Sequence, residues 1–285
     1  MKKFTAALLC CVLMFSLVST AQAKTAKAAT MRLEKTEGTV TLKSSAGRTL
    51  TKSDGMKLCS GCSLADGAKS YSWISLDDSK AVKLGASSSV TVTQSGKKLT
   101  LNLTSGKLFF NVKTPLASDE SLSIRTSTTV TGIRGTCGVV EATKDSETGE
   151  DCTLITIFEG SVAVTTTEPA AGKINTLPVS AGRWVKITSR YGALMHGTIV
   201  DTNNLGFAMV DIAADPALLA SINAATALGE KIKTGAAEQL AIDGGNEQKI
   251  IESLPVNKIV IDDPVFSEPV YSGGGNNMSD NPKAN

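Results

Sequence analysis

The most regular feature of the sequence is an alternation of apolar and polar residues that extends from about Met31 to Thr188. Short runs of Val, Ile, Leu and Thr are separated by Gly, Ser, Asn and Asp, and within Leu99–Leu103 the leucines occupy every second position. A period of two places alternate side chains on opposite faces of a strand, so each run predicts a strand with one buried face. Many short strands with turn residues between them indicate a sandwich, a barrel or a stack of coils. We therefore predict a mainly β fold, solenoid-like or sandwich-like, over residues 31–189.

The two ends of this β region resemble each other. Glu37–Leu42 and Glu159–Val164 both begin with Glu-Gly and then place an apolar residue at every second position. In each case a polar turn, a second strand and a further glycine follow. This echo fits either repeated coils in a stack or two unrelated hairpins with glycine turns, and the sequence favours neither.

After Ser189 the pattern becomes helical. Asp215 is a good N-cap and Pro216 suits the first helical position, and Ala217–Leu228 is rich in helix-forming residues. A second helix is predicted over Asn246–Leu254, where a proline ends it. We assign residues 190–255 to a small C-terminal helical appendage. Residues 256–285 contain three consecutive glycines and little that could pack, so we expect a disordered tail.

The first 23 residues have the features of a secretory signal peptide. Lys2 and Lys3 precede the apolar run Ala6–Val18, and Ala21-Gln-Ala23 supplies the small residues that a signal peptidase accepts. The apolar run is shorter than the roughly 20 residues of a membrane span, which disfavours an uncleaved anchor. We therefore expect residues 1–23 to be removed and the protein to be exported to the periplasm, the cell surface or the extracellular space. No later segment predicts a transmembrane helix.

The charge balance of the remaining chain is even. Removing residues 1–23 removes two lysines and no acidic residue, which leaves 27 basic and 27 acidic side chains. A neutral balance argues against a nucleic-acid partner or an anionic membrane surface bound by bulk charge.

Four cysteines remain beyond the predicted signal peptide, namely Cys59, Cys62, Cys137 and Cys152. An even number in an exported chain favours disulfides, and four cysteines allow three connectivities. A polar stretch, residues 143–151, predicts a hairpin loop between the last two. If the strands pair symmetrically about this loop, the two cysteines face each other, so we favour a Cys137–Cys152 disulfide. Cys59 and Cys62 would then form a tight local bridge or remain a pair of thiols.

The sequence contains candidate catalytic and metal-binding residues, but the neighbouring residues that such sites require are missing. His196 is the single histidine of the chain, which excludes a His-rich metal motif, and no Gly-x-Ser-x-Gly turn accompanies it. Cys59-Ser-Gly-Cys62 has the spacing of a redox pair, but no helix start follows to activate a thiol. We predict no catalytic residue, no cofactor, no metal site and no enzymatic activity.

A series of short motifs runs through the β region in a fixed order. The most distinctive is Val130-Thr-Gly-Ile-Arg-Gly-Thr136, and together the motifs cover roughly residues 35–188. The others are Val82-Lys-Leu-Gly-Ala-Ser-Ser-Ser-Val90, Leu103-Thr-Ser-Gly-Lys-Leu-Phe-Phe-Asn-Val112, Glu159-Gly-Ser-Val162 and Ala181-Gly182. In this order they resemble a FecR domain. The resemblance implies an extracytoplasmic β module of the kind found in bacterial surface-signalling proteins.

Regulators of that family that control iron uptake also carry a cytoplasmic sigma-binding segment and an internal membrane helix. We find no counterpart of these two parts in this sequence, so we expect only the exterior sensing or scaffold half to carry over. The first hypothesis is a non-enzymatic FecR-type binding or scaffold module of the cell envelope, whose partner is another envelope protein, a glycan or a second copy. The alternative is an extracytoplasmic sensor of a sigma/anti-sigma pathway that acts through a separate membrane partner.

Three residues are candidates for an interface. Arg134 lies between two glycines at a predicted corner, and Arg183 and Trp184 lie beside the closing Ala-Gly turn. Exposed arginine and tryptophan side chains are enriched where proteins bind one another. In the structural alternative Trp184 packs into the core and Arg183 lies on the solvent face.

Overall fold

The computed structural model describes residues 30–167, 176–189, 192–199 and 205–258. The predicted signal peptide lies outside the described residues, and so does the predicted tail from residue 259 onward. Residues 256–258, which we assigned to the tail, belong to a 3-10 helix, and Val256 is buried.

Strands dominate the described residues, as the alternating pattern predicts. They are β1 (Arg32–Glu37), β2 (Val40–Lys43), β3 (Thr49–Leu50), β4 (Met56–Lys57), β5 (Cys62–Asp66), β6 (Tyr71–Ser75), β7 (Lys80–Leu84), β8 (Ser89–Ser95), β9 (Lys98–Val112), β10 (Ser121–Arg125), β11 (Thr129–Ile133), β12 (Cys137–Lys144), β13 (Asp151–Glu159), β14 (Ser161–Thr166), β15 (Thr176–Ser180), β16 (Arg183–Thr188) and β17 (Gly192–Thr198). The helices are α1 (Met209–Ala213), α2 (Pro216–Thr226), α3 (Gly229–Asp243) and α4 (Asn246–Ser253), with 3-10 turns at Gly206–Ala208 and Pro255–Lys258.

The strands form two layers that share one strand. The front sheet has the order β4-β1-β6-β7-β9-β12-β13-β16-β17. The back sheet has the order β3-β2-β5-β8-β9-β10-β11-β14-β15. Strand β9 contributes residues 98–105 to the back sheet and 106–112 to the front sheet. Only the β9–β10 pairing is parallel among the described strands. The mainly β, sandwich-like prediction is confirmed.

The main core lies between the two sheets. Leu99, Leu101 and Leu103 point into it from the back sheet, as their alternation predicts, and Phe110 and Ile155 meet them from the front sheet. Each fully buried Leu, Ile or Phe stabilises the fold by about 1.5–3 kcal/mol relative to an exposed position. Aliphatic residues make up most of this core because the chain is poor in aromatic residues.

Glycines mark the corners at which the chain crosses from one sheet to the other. In the first half of the chain these corners lie at Gly38, Gly67 and Gly85, and they share one end of the sandwich with the bend of β9 at Gly106. Gly106 has a φ of 84°, and a Cβ there would lie 2.2 Å from the Ser88 Oγ atom. No residue other than glycine fits that approach without displacing Ser88.

In the second half of the chain the corners lie at the opposite end, at Gly135, Gly160 and Gly182. The register places them there, because Cys137 pairs with Asn111 near the far end of β9. The two Glu-Gly echoes are therefore equivalent corners, since both β1–β2 and β13–β14 pass from the front sheet to the back sheet. The two corners lie at opposite ends of the sandwich, and β1 pairs with β4 and β6 whereas β13 pairs with β12 and β16, so the pairing does not favour the repeated-coil interpretation of the echo.

The helices pack on the outer face of the front sheet. Helix α2 begins where Asp215 and Pro216 predict, with the Asp215 side chain accepting a hydrogen bond from the Leu218 amide. Helix α4 also matches its prediction. Helices α1 and α3 were not predicted, and α3 begins at Gly229.

The boundary of 190–255 as a helical region also needs correction. Residues 192–198 form strand β17, which pairs with β16, so the β region extends to Thr198. The alternation there is too weak to identify a strand, and its pairing with β16 is irregular between Lys186 and Ile187.

Candidate functional site at the junction of sheet and helices

The distinctive motif Val130–Thr136 forms one of the corners. Gly135 has a φ of 137°, and a Cβ at this position would lie 3.1 Å from the Pro115 Cα atom. At the adjoining corner, a Cβ on Gly160 would lie 2.5 Å from the Gly135 carbonyl oxygen. The motif glycines therefore permit close packing of backbone against backbone, and Arg134 is left exposed between them.

The other two candidate interface residues lie on the same end of the sandwich. Arg183 is exposed and donates a hydrogen bond to the Thr198 hydroxyl at 3.3 Å. Trp184 is half-buried, lies against Gly197 of β17 and packs against the apolar cluster beneath the helices. The Gly160 corner separates Arg134 from Arg183, because Gly160 contacts Gly135 and its carbonyl accepts the Ala181 amide at 2.8 Å. Recognition by these residues stays a prediction.

The cysteines differ from our preferred pairing. Cys59 and Cys62 form a disulfide, whereas Cys137 and Cys152 are free and buried, so the Cys137–Cys152 prediction is wrong. The hairpin is not symmetric about its loop, since Cys152 pairs with Thr143 and Cys137 pairs with Glu159. Burial raises the pKa of both free thiols, most strongly for Cys137, which keeps them protonated and unreactive.

A buried lysine lies between the front sheet and the helices. Lys83 of β7 is 1% exposed, and it shares the outer face of the sheet with its neighbours Trp73 and Phe109. Its Nζ atom donates to Asp211 Oδ2 at 2.8 Å, to the Phe207 carbonyl at 2.5 Å and to a carboxylate oxygen of Glu247. All three acceptors belong to the C-terminal helical region, so one strand residue holds three separate parts of it.

Two aromatic rings complete the surroundings of this ammonium group. The Nζ atom lies 4.8 Å from the Trp73 ring centroid and 5.2 Å from that of Tyr71. The Trp73 indole also donates to Asp211 Oδ1 at 3.2 Å. A ring face attracts a cation through its quadrupole, and the attraction is strongest when water is excluded. We call Lys83, Asp211, Glu247 and Trp73 the junction cluster.

The junction cluster holds two carboxylates for one ammonium group. Burial raises the pKa of Asp211 above its usual range, although Lys83 opposes this. Burial likewise raises the pKa of Glu247, and the charge of Asp211 adds to the effect. Burial lowers the pKa of Lys83, but the two carboxylates outweigh it and leave that pKa above its ordinary value. Burial therefore disfavours the charged form of each carboxyl group, and the Lys83 ammonium group partly restores it.

Other polar contacts join the helices to both ends of the front sheet. Asn246 donates to a Glu37 carboxylate oxygen at 2.5 Å, beside the first Glu-Gly corner. Lys113 lies 2.9 Å from the Asp215 carboxylate at the start of α2. Glu159 of the second Glu-Gly corner accepts a hydrogen bond from Ser221, and burial raises its pKa. The helical layer is thus fixed at its middle and at both ends.

The site has no room for a small molecule. A cavity of about 10 Å³ lies beside Trp73, Asn111 and Leu254, which is space for about one water. Among the described residues no group of three His, Cys, Asp or Glu side chains could hold a metal ion. His196 is exposed on the edge strand β17. The arrangement can hold charge and join surfaces, and we find no group positioned to act on a substrate in the described part of the chain.

The sequence analysis missed the junction cluster. A signal was present, because Trp73, Ala81 and Phe109 place apolar side chains on the face of the strands opposite to the main core. A strand with apolar residues on both faces predicts a covering layer on each side. The lysine within that apolar face has no equivalent signal, since alternating strands commonly carry a solvated lysine.

Comparison with known proteins agrees with the motif order. Residues 64–163 match the family model described as FecR protein. The chain contains a FecR domain. Four of the five motifs lie at least partly within the match, and the Ala181–Gly182 turn and the whole helical layer lie beyond it. No curated protein matches the chain in sequence.

Two crystal structures of a protein described as a "putative anti-sigma factor" from Parabacteroides distasonis ATCC 8503, at 1.65 and 2.50 Å resolution, are similar to the chain. Each shares 14% identity with a TM-score of 0.42, and the alignment covers 52% of this chain and 64% of that one. The alignment thus spans less than two thirds of that protein. Among the described residues no single helix is long and apolar enough to cross a membrane; Gly206–Ala213 and Pro216–Ala225 reach that length only as a pair bent by 119°.

Proposed function

We propose that the protein is an extracytoplasmic sensor component of a surface-signalling pathway, which acts through a separate membrane partner. The observation that carries this proposal is the FecR domain at residues 64–163. It favours the signalling alternative over a general scaffold, because modules of this family take part in regulation. Such a role needs protein contacts and no catalytic centre, and protein contacts are the chemistry that the described residues offer.

Two regions of the fold are available for a partner. The corner end carries the exposed Arg134 and Arg183, and arginine is enriched in protein interfaces. The outer face of the front sheet is apolar but lies beneath the helices. A sensor of this design would receive one partner at the corners and respond through the helical layer.

Export is part of the proposal and rests on the signal features of residues 1–23. Intact-mass measurement of the protein recovered from its native host tests it directly. A mature protein that begins at Lys24 supports export, whereas a protein that retains its first 23 residues in the cell interior removes the sensor role.

The functional test is genetic. The gene is deleted, and transcript levels are compared between the deletion strain, the complemented strain and the parent. A sensor is expected to change a limited set of transcripts that complementation restores. A complementing gene that encodes the Arg134→Glu, Arg183→Glu double variant should fail to restore them, while Asp54→Lys on a distant exposed turn should succeed. Unchanged transcripts, or an altered envelope without altered transcription, would favour the scaffold role instead.

A further inference from the structure

The contact between the helices and the front sheet contains buried charges as well as apolar packing. It combines an apolar cluster with the junction cluster and with the end contacts of Asn246 and Lys113. Buried ion pairs of this kind add little net stability compared with apolar packing, because removing the charges from water costs about as much as their attraction returns. Contacts within a chain that combine polar and apolar groups resemble the interfaces of transient complexes.

The division of the buried apolar residues into two clusters also allows the helices to separate from the front sheet. The main core contains residues from both sheets and none from the helices, whereas the second cluster contains the buried apolar residues of the helices together with one face of the front sheet. Lifting the helices would therefore leave the main core intact. It would expose a flat apolar face formed by Trp73, Ala81, Phe109 and Val139.

We propose that the C-terminal helical layer is a displaceable cover over this face, and that the junction cluster is the latch that holds it. Asp211 and Glu247 reach Lys83 from α1 and α4, so losing this one cation removes a buried contact from both helices at once. The inference deepens the proposed function, because opening the cover is a way for a partner to be admitted. Hydrogen exchange can test the cover whether or not the protein takes part in signalling.

Opening of the latch is coupled to the release of protons from Asp211 and Glu247. The groups that face Lys83 are Asp211 from α1, Glu247 from α4, Tyr71 and Trp73 from β6, and the Phe207 carbonyl, while Asp243 at the end of α3 adds a negative charge near Glu247. When the cover opens, the two carboxyl groups return to their ordinary pKa values and release protons. The covered state is therefore favoured at low pH and is weakened as the pH rises through the raised pKa values.

The experiment is native-state hydrogen exchange on the purified protein at increasing denaturant concentrations. Amides of α1, α3 and α4 are expected to exchange through a common opening that is more frequent than the opening of β8 and β12. The same opening should expose Trp73 to acrylamide in a Trp184→Phe background. After correction for intrinsic exchange, the cover should open more often as the pH is raised from about 4. One shared opening for helices and sheets would overturn the proposal.

Variants separate the latch from a general loss of packing. Lys83→Met leaves two buried carboxylates without their cation, so the cover should open about a hundred-fold more often while β8 is unaffected. The neutral combination Lys83→Met, Asp211→Asn, Glu247→Gln leaves no charge of the cluster unpaired, so the cover should open less often than in Lys83→Met and should depend less on pH than in the parent protein. Lys97→Met removes the exposed Lys97–Asp119 pair and serves as the control. If Lys83→Met does not fold, the triple variant and the pH series decide. A triple variant whose opening keeps the frequency and the full pH dependence of the parent protein would contradict the latch.

Discussion

Lys83 and Asp211 are 128 residues apart in the sequence, and their side chains meet at 2.8 Å, where both residues are buried. One of them belongs to the FecR domain and the other lies outside it. The helical layer therefore covers part of the FecR domain. A truncated protein that ends at β17 would expose the apolar outer face of the front sheet.

Trp73 contributes to the junction through both its ring and its indole N–H group. Trp73→Phe keeps an aromatic ring beneath Lys83 but leaves Asp211 Oδ1 without this donor. We expect a loss of about 1–3 kcal/mol in the free energy of opening the helical layer, measured by hydrogen exchange. Trp184→Phe is the matched control, since Trp184 is only half-buried. Equal effects of the two changes on the helices would contradict a specific role for Trp73.

Asp66 is a buried carboxyl group that makes the stability of the sandwich depend on pH. Burial raises its pKa to about 7, with a partial offset from the Ser72 hydroxyl and Lys52, and its Oδ2 atom has no hydrogen-bond partner among the described residues. Its folded-state pKa exceeds the unfolded value, so stability is lost as the pH rises from about 4 to 7. We expect Asp66→Asn to stabilise the fold at pH 8 by on the order of 1–3 kcal/mol and to have little effect at pH 4.

Denaturant unfolding at a series of pH values measures this effect. Asp54→Asn, at an exposed carboxylate, provides the control curve. A pH dependence that is the same for the parent protein and Asp66→Asn would show that Asp66 stays ionised in the folded state.

The second-half corners depend on glycine for steric reasons. Gly160→Ala places a Cβ 2.5 Å from the Gly135 carbonyl oxygen at a φ of 74°. Gly149→Ala has nearly the same φ, 70°, but nothing lies within 4 Å of its Cβ. We expect the second change to cost about 1 kcal/mol from the left-handed conformation alone, and the first to cost at least about 2 kcal/mol more. Thermal unfolding of both variants measures the difference, and equal losses would show that the corner can relax.

The Cys59–Cys62 disulfide predicts which cysteines react with an alkylating reagent. Cys137 and Cys152 should resist alkylation in the folded protein and become labelled after unfolding without reductant, whereas Cys59 and Cys62 should react only after reduction. Because the bridge closes a very short loop, Cys59→Ser should cost at most about 2 kcal/mol. Mass spectrometry of the labelled peptides makes the assignment. A Cys137–Cys152 peptide in the unreduced digest would overturn it.

A substitution of Arg134 distinguishes a role of this residue in recognition from a role in the stability of the fold. The side chain is exposed, so Arg134→Ala should change the free energy of unfolding by no more than about 0.5 kcal/mol. A large loss measured by thermal unfolding would assign the residue to the fold and remove it from the candidate interface.

The local parts of this structure could be predicted from the sequence. Alternation in Leu99–Leu103 identified both a strand and its buried face, and Asp215-Pro216 identified the start of a helix, because both signals act between near neighbours. The Cys137–Cys152 error arose because the pairing register of a hairpin depends on where its loop begins. The junction cluster could not be predicted, since no local pattern indicates that a lysine on a strand will be covered by helices more than a hundred residues later.

The sharing of β9 by both sheets has a consequence for any attempt to divide this chain. Its first half closes one layer and its second half closes the other, so the segments before and after it cannot be produced as independent folding units. A fragment cut to residues 64–163 would also lack β1–β4 and β15–β17, and with them the core residues Leu33, Leu42, Val185 and Ile187. Such a fragment would have incomplete sheets with unpaired edges, and we expect it to aggregate. The smallest piece of this protein suitable for binding studies therefore extends from β1 through the helical layer.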